Sequence, residues 1–232
     1  TFLKLIYIFK LFQFLNSFNS YYLLTFIKFF LILSFLFGFF GSLYQIKTKK
    51  FLIFLSIYNI SFFSIVFWNF SYEFHNLFIL YALFYSLNTM LYTILFSSIK
   101  DWGSNLTIKN LFDLVNLKSQ NPFLVFFFIF YSLVVSGLPP SILFLLKFSI
   151  FFEVSRQLSF FWLFIFLLFS TFSFFVYVRL IRLILKSDEA PTIFLKPIPK
   201  LISLLLALGA LLNIFCIFFF DKILLLQEFL FL

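Results

Sequence analysis

The chain has 232 residues, of which 64% are hydrophobic and 11% charged, with a formal net charge of +9, whereas an ordinary soluble domain is about half apolar and roughly a quarter charged. That balance excludes a water-soluble domain, because the apolar stretches are too many and too long to be one core wrapped in polar surface. In a soluble protein the positive charge would point to nucleic acid or an acidic membrane; here no nucleic acid partner is expected, and the basic residues acquire meaning only once each is assigned to a loop.

Measured against the roughly 20 residues needed to cross a bilayer, the apolar runs give about seven segments. They cover approximately residues 1–16, 22–44, 51–70, 76–99, 121–154, 159–186 and 198–220. The first is short for a full crossing, and it contains Lys4 and Lys10 with no small-residue cleavage pattern, so no removable targeting segment is expected. The fifth is too long for one straight helix. It carries Ser136-Gly137-Leu138-Pro139-Pro140 in its middle, where two prolines remove backbone donors and clash with the preceding turn, so it reads as two half-helices joined by a loop. Residues 100–120 form the one long polar connection, in which Leu111, Leu114, Val115 and Leu117 suit a short interfacial helix. The tail from Asp221 to Leu232 reads equally as a surface helix or a frayed end. No low-complexity linker marks a second unit, so residues 1–232 are taken as a single transmembrane domain.

Letting the chain alternate sides, with the broken segment counted as one crossing, sorts the basic residues sharply. One face receives Lys47, Lys49, Lys50, Lys100, Lys109, Lys118, Arg179, Arg182, Lys186, Lys196 and Lys200; the other receives only Arg156 and Lys222. By the positive-inside bias, the basic loops at residues 46–50, 100–120 and 186–200 should face the matrix or cytoplasm.

Four lysines fall inside apolar runs: Lys4, Lys10, Lys28 and Lys147. A lysine near the centre of a spanning helix costs at least about 2.5 to 3.5 kcal/mol on insertion scales, which makes each a candidate for ion handling. Lys10 and Lys28 lie near enough to segment ends to snorkel to the headgroups. Lys147 is placed differently, seven residues after Pro140 with apolar or small residues between, and reaches neither surface easily. Freed backbone groups at a broken helix are tolerated in a bilayer only where protein or water satisfies them, so a hydrated cavity beside Lys147 is expected. Such a lysine can accept and release a proton; the alternative is a lysine satisfied by a neighbouring carboxylate. Glu73 and His75 read as a solvated loop pair, Glu153 as an exit site or an exposed helix end, and Cys216 as a buried inert thiol. No metal-ligand spacing, phosphate loop or nucleophile arrangement is present.

The run SLVVSGLPPSILFLLKF, residues 132–148, resembles the stretch of the antiporter-like membrane subunits of respiratory complex I in which a Gly-Leu/Ile-Pro-Pro loop precedes a helix bearing a lysine. Upstream, Gly41-Ser42-Leu43-Tyr44-Gln45, Lys49-Lys50-Phe51-Leu52 and Leu55-Ser56-Ile57 resemble the family pattern G-x-L-x-Q … K-R-x-L-A-Y-S-S-I. Downstream, Tyr177-Val178-Arg179-Leu180-Ile181 resembles its Tyr-x-Arg-Leu-Ile. Three motifs in the family's order make the resemblance specific, and it covers nearly the whole chain. Lys147-Phe148 fits the subunit 2 branch, because subunit 4 typically has glutamate at the lysine and subunit 5 typically follows its lysine with aspartate.

The resemblance implies an all-α membrane protein: the second five-helix repeat, with flanking helices, of a subunit built from two inverted repeats. It implies a proton relay in which Lys4, at the joint between repeats, passes a proton to Lys147, with Asn59, Tyr58 and Ser136 supporting a water chain and Gly137, Pro139 and Pro140 forming the helix break. NADH, FMN, iron–sulfur clusters and ubiquinone are expected in other subunits, and no cofactor in this one. The expected partners are the lipid bilayer, other membrane-arm subunits of complex I, and a separate chain carrying the amino-terminal half. The AT-rich codons of the common residues, with Phe alone at 47, suit an organelle genome, and together with the resemblance they imply the mitochondrial inner membrane. Two departures stand out: the family's histidine after Ser-Ser-Ile-x is Asn59, which holds water but carries no proton at neutral pH, and no glycine follows the double proline. The family's amino-terminal half, with its glutamate–lysine pair, has no counterpart here, implying a second polypeptide or a truncation. A secondary cation/proton antiporter subunit, or a structural half whose lysines are relics, are the rival readings.

Overall fold

The computed structural model describes residues 21–66, 72–99, 109–115, 117–139, 141–157, 160–186, 199–220 and 222. Lys4, Lys10, the rest of the first apolar run and Pro140 lie outside them, as do the side chains of Lys28, Glu73, His75 and Glu153. In hydrocarbon every backbone N–H and C=O must be paired within the protein, and helices do this segment by segment. In chain order the helices are α1 (Tyr21–Tyr44), α2 (Thr48–Val66), α3 (Tyr72–Ser98), the single turn α4 (Leu117–Gln120), α5 (Pro122–Ser136), α6 (Ile142–Gln157), α7 (Phe160–Leu185) and α8 (Lys200–Phe218). At about 1.5 Å per residue, α1, α3 and α7 reach roughly 36 to 40 Å, enough to cross a hydrocarbon core of about 30 Å with some tilt. The half-helices α5 and α6, of 15 and 16 residues, cross only in series.

The bundle exposes many apolar side chains and buries polar ones beside its apolar core. Phe37, Phe126, Phe175 and Leu211 are exposed, whereas Asn59, Asn88, Ser136, Lys147, Ser173 and Asn213 are buried. With apolar side chains welcome on the lipid face, polar groups collect inside, where partners exist. One example is reciprocal: Asn213 Nδ2 donates to Asn88 Oδ1 at 2.7 Å and Asn88 Nδ2 donates to Asn213 Oδ1 at 3.1 Å, tying α8 to α3. Nearby, the Tyr131 hydroxyl donates to the Leu206 carbonyl at 2.7 Å and ties α8 to α5.

Helices α1 and α2 form a hairpin whose close approach depends on Gly38, since a Cβ there would stand 2.7 Å from the Tyr58 backbone nitrogen. Ser34 and Ser61 share a hydrogen bond across it at 2.9 Å. The hairpin leans on α7 through α1, with Phe39 and Phe172 stacked at 4.6 Å. The remaining helices form the body: α3 packs on α5, α6 and α8, and α5 on α7.

The basic loops at Lys47 and Lys109 are joined by backbone pairing. Thr48 N–H donates to the Lys109 carbonyl at 2.9 Å and Leu111 N–H to the Ile46 carbonyl at 2.8 Å, around an isolated antiparallel bridge between Lys47 and Asn110. Both loops therefore lie on one face, as two crossings between them require. The sequence suggested an interfacial helix after this point. Instead a 3-10 turn at Leu111–Leu114 and the turn α4 bury Leu111, Leu114 and Leu117 against α7 and α5. These leucines close the end of the bundle and do not face lipid.

Candidate functional site

The fifth apolar run breaks where its residues forbid a continuous helix, and glycine makes the stop. Gly137 adopts φ 75° and ψ 46°, the left-handed conformation that a side chain disfavours. Its N–H donates to the Val134 carbonyl at 3.0 Å and Leu138 N–H donates to the Leu133 carbonyl at 3.1 Å, a closing pattern typical of a helix that ends in glycine. Pro139 is exposed in the connection. The chain re-enters helix at Ser141, whose Oγ accepts from Phe144 N–H at 3.2 Å, an N-cap for α6.

This closure leaves the Ser136 carbonyl outside the α5 ladder, and two side chains converge on it. Lys147 Nζ donates to Ser136 O at 2.8 Å, and Ser173 Oγ on α7, which donates to the Ser170 carbonyl at 2.6 Å, stands 3.3 Å from the same oxygen. The last carbonyls of a helix carry a partial negative charge, so an ammonium here meets both a hydrogen-bond acceptor and the favourable end of a dipole. Lys147 is 8% exposed and can approach this closely because position 137 has no side chain. A Cβ on Gly137 would stand 2.7 Å from Lys147 Cδ and 2.8 Å from Nζ.

The other predicted residues sit one layer away. Tyr58 is buried on α2, its hydroxyl near Ser173 and its ring 4.6 Å from that of Phe35. Asn59 is buried beside it, near Tyr85 and Tyr177, and donates to the Leu55 carbonyl at 2.8 Å. Ser136 takes part through its carbonyl. Its hydroxyl turns back to donate to the Leu133 carbonyl at 2.8 Å. Lys147, Ser136 and Gly137 thus form one contact, Tyr58 joins it through Ser173, and Asn59 belongs to a neighbouring tyrosine cluster.

Ser173, Tyr85 and Tyr92 were not singled out from the sequence, and Tyr177 only as part of the downstream motif, although a signal existed. On α3, Tyr81, Tyr85, Asn88 and Tyr92 recur at spacings of four, three and four, one face of a helix, and all four are buried. A polar stripe on an otherwise apolar membrane helix marks the side turned to protein. A cavity of about 380 Å³ opens along this stripe between α2, α3 and α7. Its lining includes Tyr85, Tyr92, Tyr177 and Val135, but not Lys147. The sequence suggested a cavity directly at the lysine; among the described residues, Gly137 and Ser136 pack against its side chain.

The chain is similar to the family described as NADH:quinone oxidoreductase/Mrp antiporter, TM, over residues 2–175. Among solved structures it resembles a chain of respiratory complex I from Thermus thermophilus with bound aureothin, at 23% identity and a TM-score of 0.68. The match covers 84% of this chain and 43% of that one. It also resembles a chain of the Mrp complex from Dietzia sp. DQ12-45-1b, at 12% identity and a TM-score of 0.69, covering 84% of this chain and 44% of that one. Both likenesses establish the fold, and the chain spans less than half the length of either relative. Among curated proteins none matches it.

Proposed function

The chain belongs to the NADH:quinone oxidoreductase/Mrp antiporter transmembrane family, and from that premise we propose that it is a proton-translocating membrane subunit whose proton carrier is Lys147. One observation carries the reading: a buried lysine amine donating at 2.8 Å to the terminal carbonyl of a half-helix. An ammonium is anchored by that carbonyl. A neutral amine holds the bond more weakly and turns away on its flexible stem, so the charge of Lys147 and the position of its side chain are coupled. Lys4 is the upstream donor in this reading, and Ser173 and Tyr58 position the site from α7 and α2.

More finely, we read the chain as the carboxyl-terminal half of NADH dehydrogenase subunit 2 of mitochondrial complex I. The support is the Lys147-Phe148 pair, the AT-rich composition and the share of the Thermus chain that is matched. The partners would be other membrane-arm subunits and a chain supplying the amino-terminal repeat, with the paired Lys47 and Lys109 loops facing the matrix. The redox cofactors would belong to those other subunits. A second reading, a subunit of a cation/proton antiporter, is favoured by the equally extensive likeness to the Dietzia Mrp chain. Co-purification with flavin and iron–sulfur proteins supports the first, and sodium-dependent transport without them the second. The decisive test is Lys147→Met in the fully assembled native complex. Proton translocation is expected to fall sharply, and unaltered translocation would sink the carrier role.

A further inference from the structure

The cleft between α2 and α3 exists because the extensive contacts of α2 are with α1 alone among the described residues, so α2 and α3 diverge. Its walls run from Leu52 to Ile60 on α2 and from Tyr85 to Thr93 on α3, with Val135 and Tyr177 behind. That stretch of helix makes it about 12 Å long. Met90 and Thr93 are exposed at its edge, so it opens sideways out of the bundle. Its volume of about 380 Å³ suits a small ligand. A partner helix lying over the same length would need on the order of 900 Å³.

The walls select the ligand. Leu52, Leu55, Ile60, Met90 and Val135 are apolar, and Ser56, Thr89 and Thr93 spend their protons on carbonyls of their own helices, at 2.7, 3.1 and 2.8 Å. Each water needs two to four polar partners and finds few here, whereas a hydrocarbon chain needs none. Tyr92 is the exception. It is 2% exposed, and its buried hydroxyl has no hydrogen-bond partner among the described residues. Such a donor is costly in apolar surroundings and calls for an acceptor on whatever fills the cleft.

Depth narrows the choice further. Tyr92 lies about 9 Å along α3 from the end at the Lys47–Lys109 face. With α3 about 40 Å long across a hydrocarbon core of about 30 Å, that places Tyr92 about 4 Å inside the boundary between headgroups and hydrocarbon. The ester carbonyls of a glycerolipid reach this depth. Tyr85 is about 20 Å from the same end, near the bilayer middle, so the cleft has the extent of one leaflet's acyl chain. Outward along α2, Lys49 continues the row of Leu52, Ser56 and Ile60 at spacings of three, four and four, one face of a helix. Lys47, Lys50 and Lys109 are exposed around it. Among the described residues the carboxylate of this face is that of Asp113, which accepts from Asn110 N–H at 3.1 Å. Clustered lysines at the membrane surface attract anionic headgroups, and the start of α2 adds the positive end of a helix dipole.

We propose that this cleft binds one anionic glycerophospholipid from the leaflet on the Lys47–Lys109 side. Its acyl chain lies along Leu55, Ile60 and Met90, an ester carbonyl accepts from the Tyr92 hydroxyl, and its phosphate rests against Lys49.

The native complex, reconstituted in phosphatidylcholine vesicles doped with a phosphatidylglycerol carrying a diazirine near the end of one acyl chain, tests this. After illumination the labelled residues of this chain are mapped by mass spectrometry. Labelling should saturate at Ile60, Met90 and the residues around Tyr85, while exposed Leu208 on α8 labels without saturation. The same diazirine on phosphatidylcholine should label the cleft several-fold less. Lys49→Gln, at an exposed position, should weaken binding of the phosphatidylglycerol about fivefold and bring the two probes together. Tyr92→Phe should weaken both probes about three- to tenfold. Labelling at Leu208 stays constant in both variants and reports that the chain is inserted. An unlabelled cleft, labelling that never saturates, equal labelling by the two probes, or either variant leaving the cleft unchanged overturns the proposal.

Discussion

Replacing Gly137 by alanine tests the contact on which the site is built. The substitution forces a side chain into the left-handed region at φ 75°, which costs about 1 to 2 kcal/mol. It also sets a Cβ 2.7 to 2.9 Å from Cδ, Nζ and Cε of Lys147, pushing the ammonium off the Ser136 carbonyl, a loss of about 1.5 to 3 kcal/mol for a hydrogen bond to a charged group. The expected total is about 2.5 to 5 kcal/mol, measurable by reversible chemical unfolding of the full chain in detergent micelles. Repeating Gly137→Ala in a Lys147→Ala background separates the two parts, because the clashing atoms are then gone. The cost there should shrink to the backbone share of about 1 to 2 kcal/mol. Equal costs in the two backgrounds would show that the lysine does not depend on the missing Cβ, and the account of the site would fail.

The remaining predictions concern how α8 is held to the body of the bundle. Asn213→Leu leaves the Asn88 carboxamide without its partner on α8 and should destabilise the protein by about 1 to 2 kcal/mol. Adding Asn88→Leu should recover part of that loss, since no amide is then stranded; a double variant worse than the sum of the singles would contradict this. Tyr131→Phe removes the bond to the Leu206 carbonyl and should cost about 1 kcal/mol. The loss should appear as easier separation of α8, read by hydrogen exchange at its backbone amides; unchanged exchange would refute the tie.

Much of this protein is determined by its sequence alone, because a bilayer leaves so few choices. Apolar runs of sufficient length must be helices, charges must gather at the ends, and a glycine followed by two prolines within one run must break it. Those constraints act on local stretches, so the crossings, the loops that share a face and the break before Lys147 are legible from residue order. The partners of buried groups are not. Ser136 looks like a hydroxyl donor in the sequence, yet the fold uses its carbonyl, because a helix that stops at Gly137 strands that oxygen where Lys147 and Ser173 can reach it. The position of the cavity likewise depends on which helices diverge: α2 stays with α1, α3 joins the body, and the space between them is lined by Tyr85 and Tyr92 of one helix face and by Tyr177, which sequence order leaves unrelated to them. With apolar side chains facing both lipid and protein, hydropathy hardly distinguishes a helix's two sides. Only packing decides which polar groups meet.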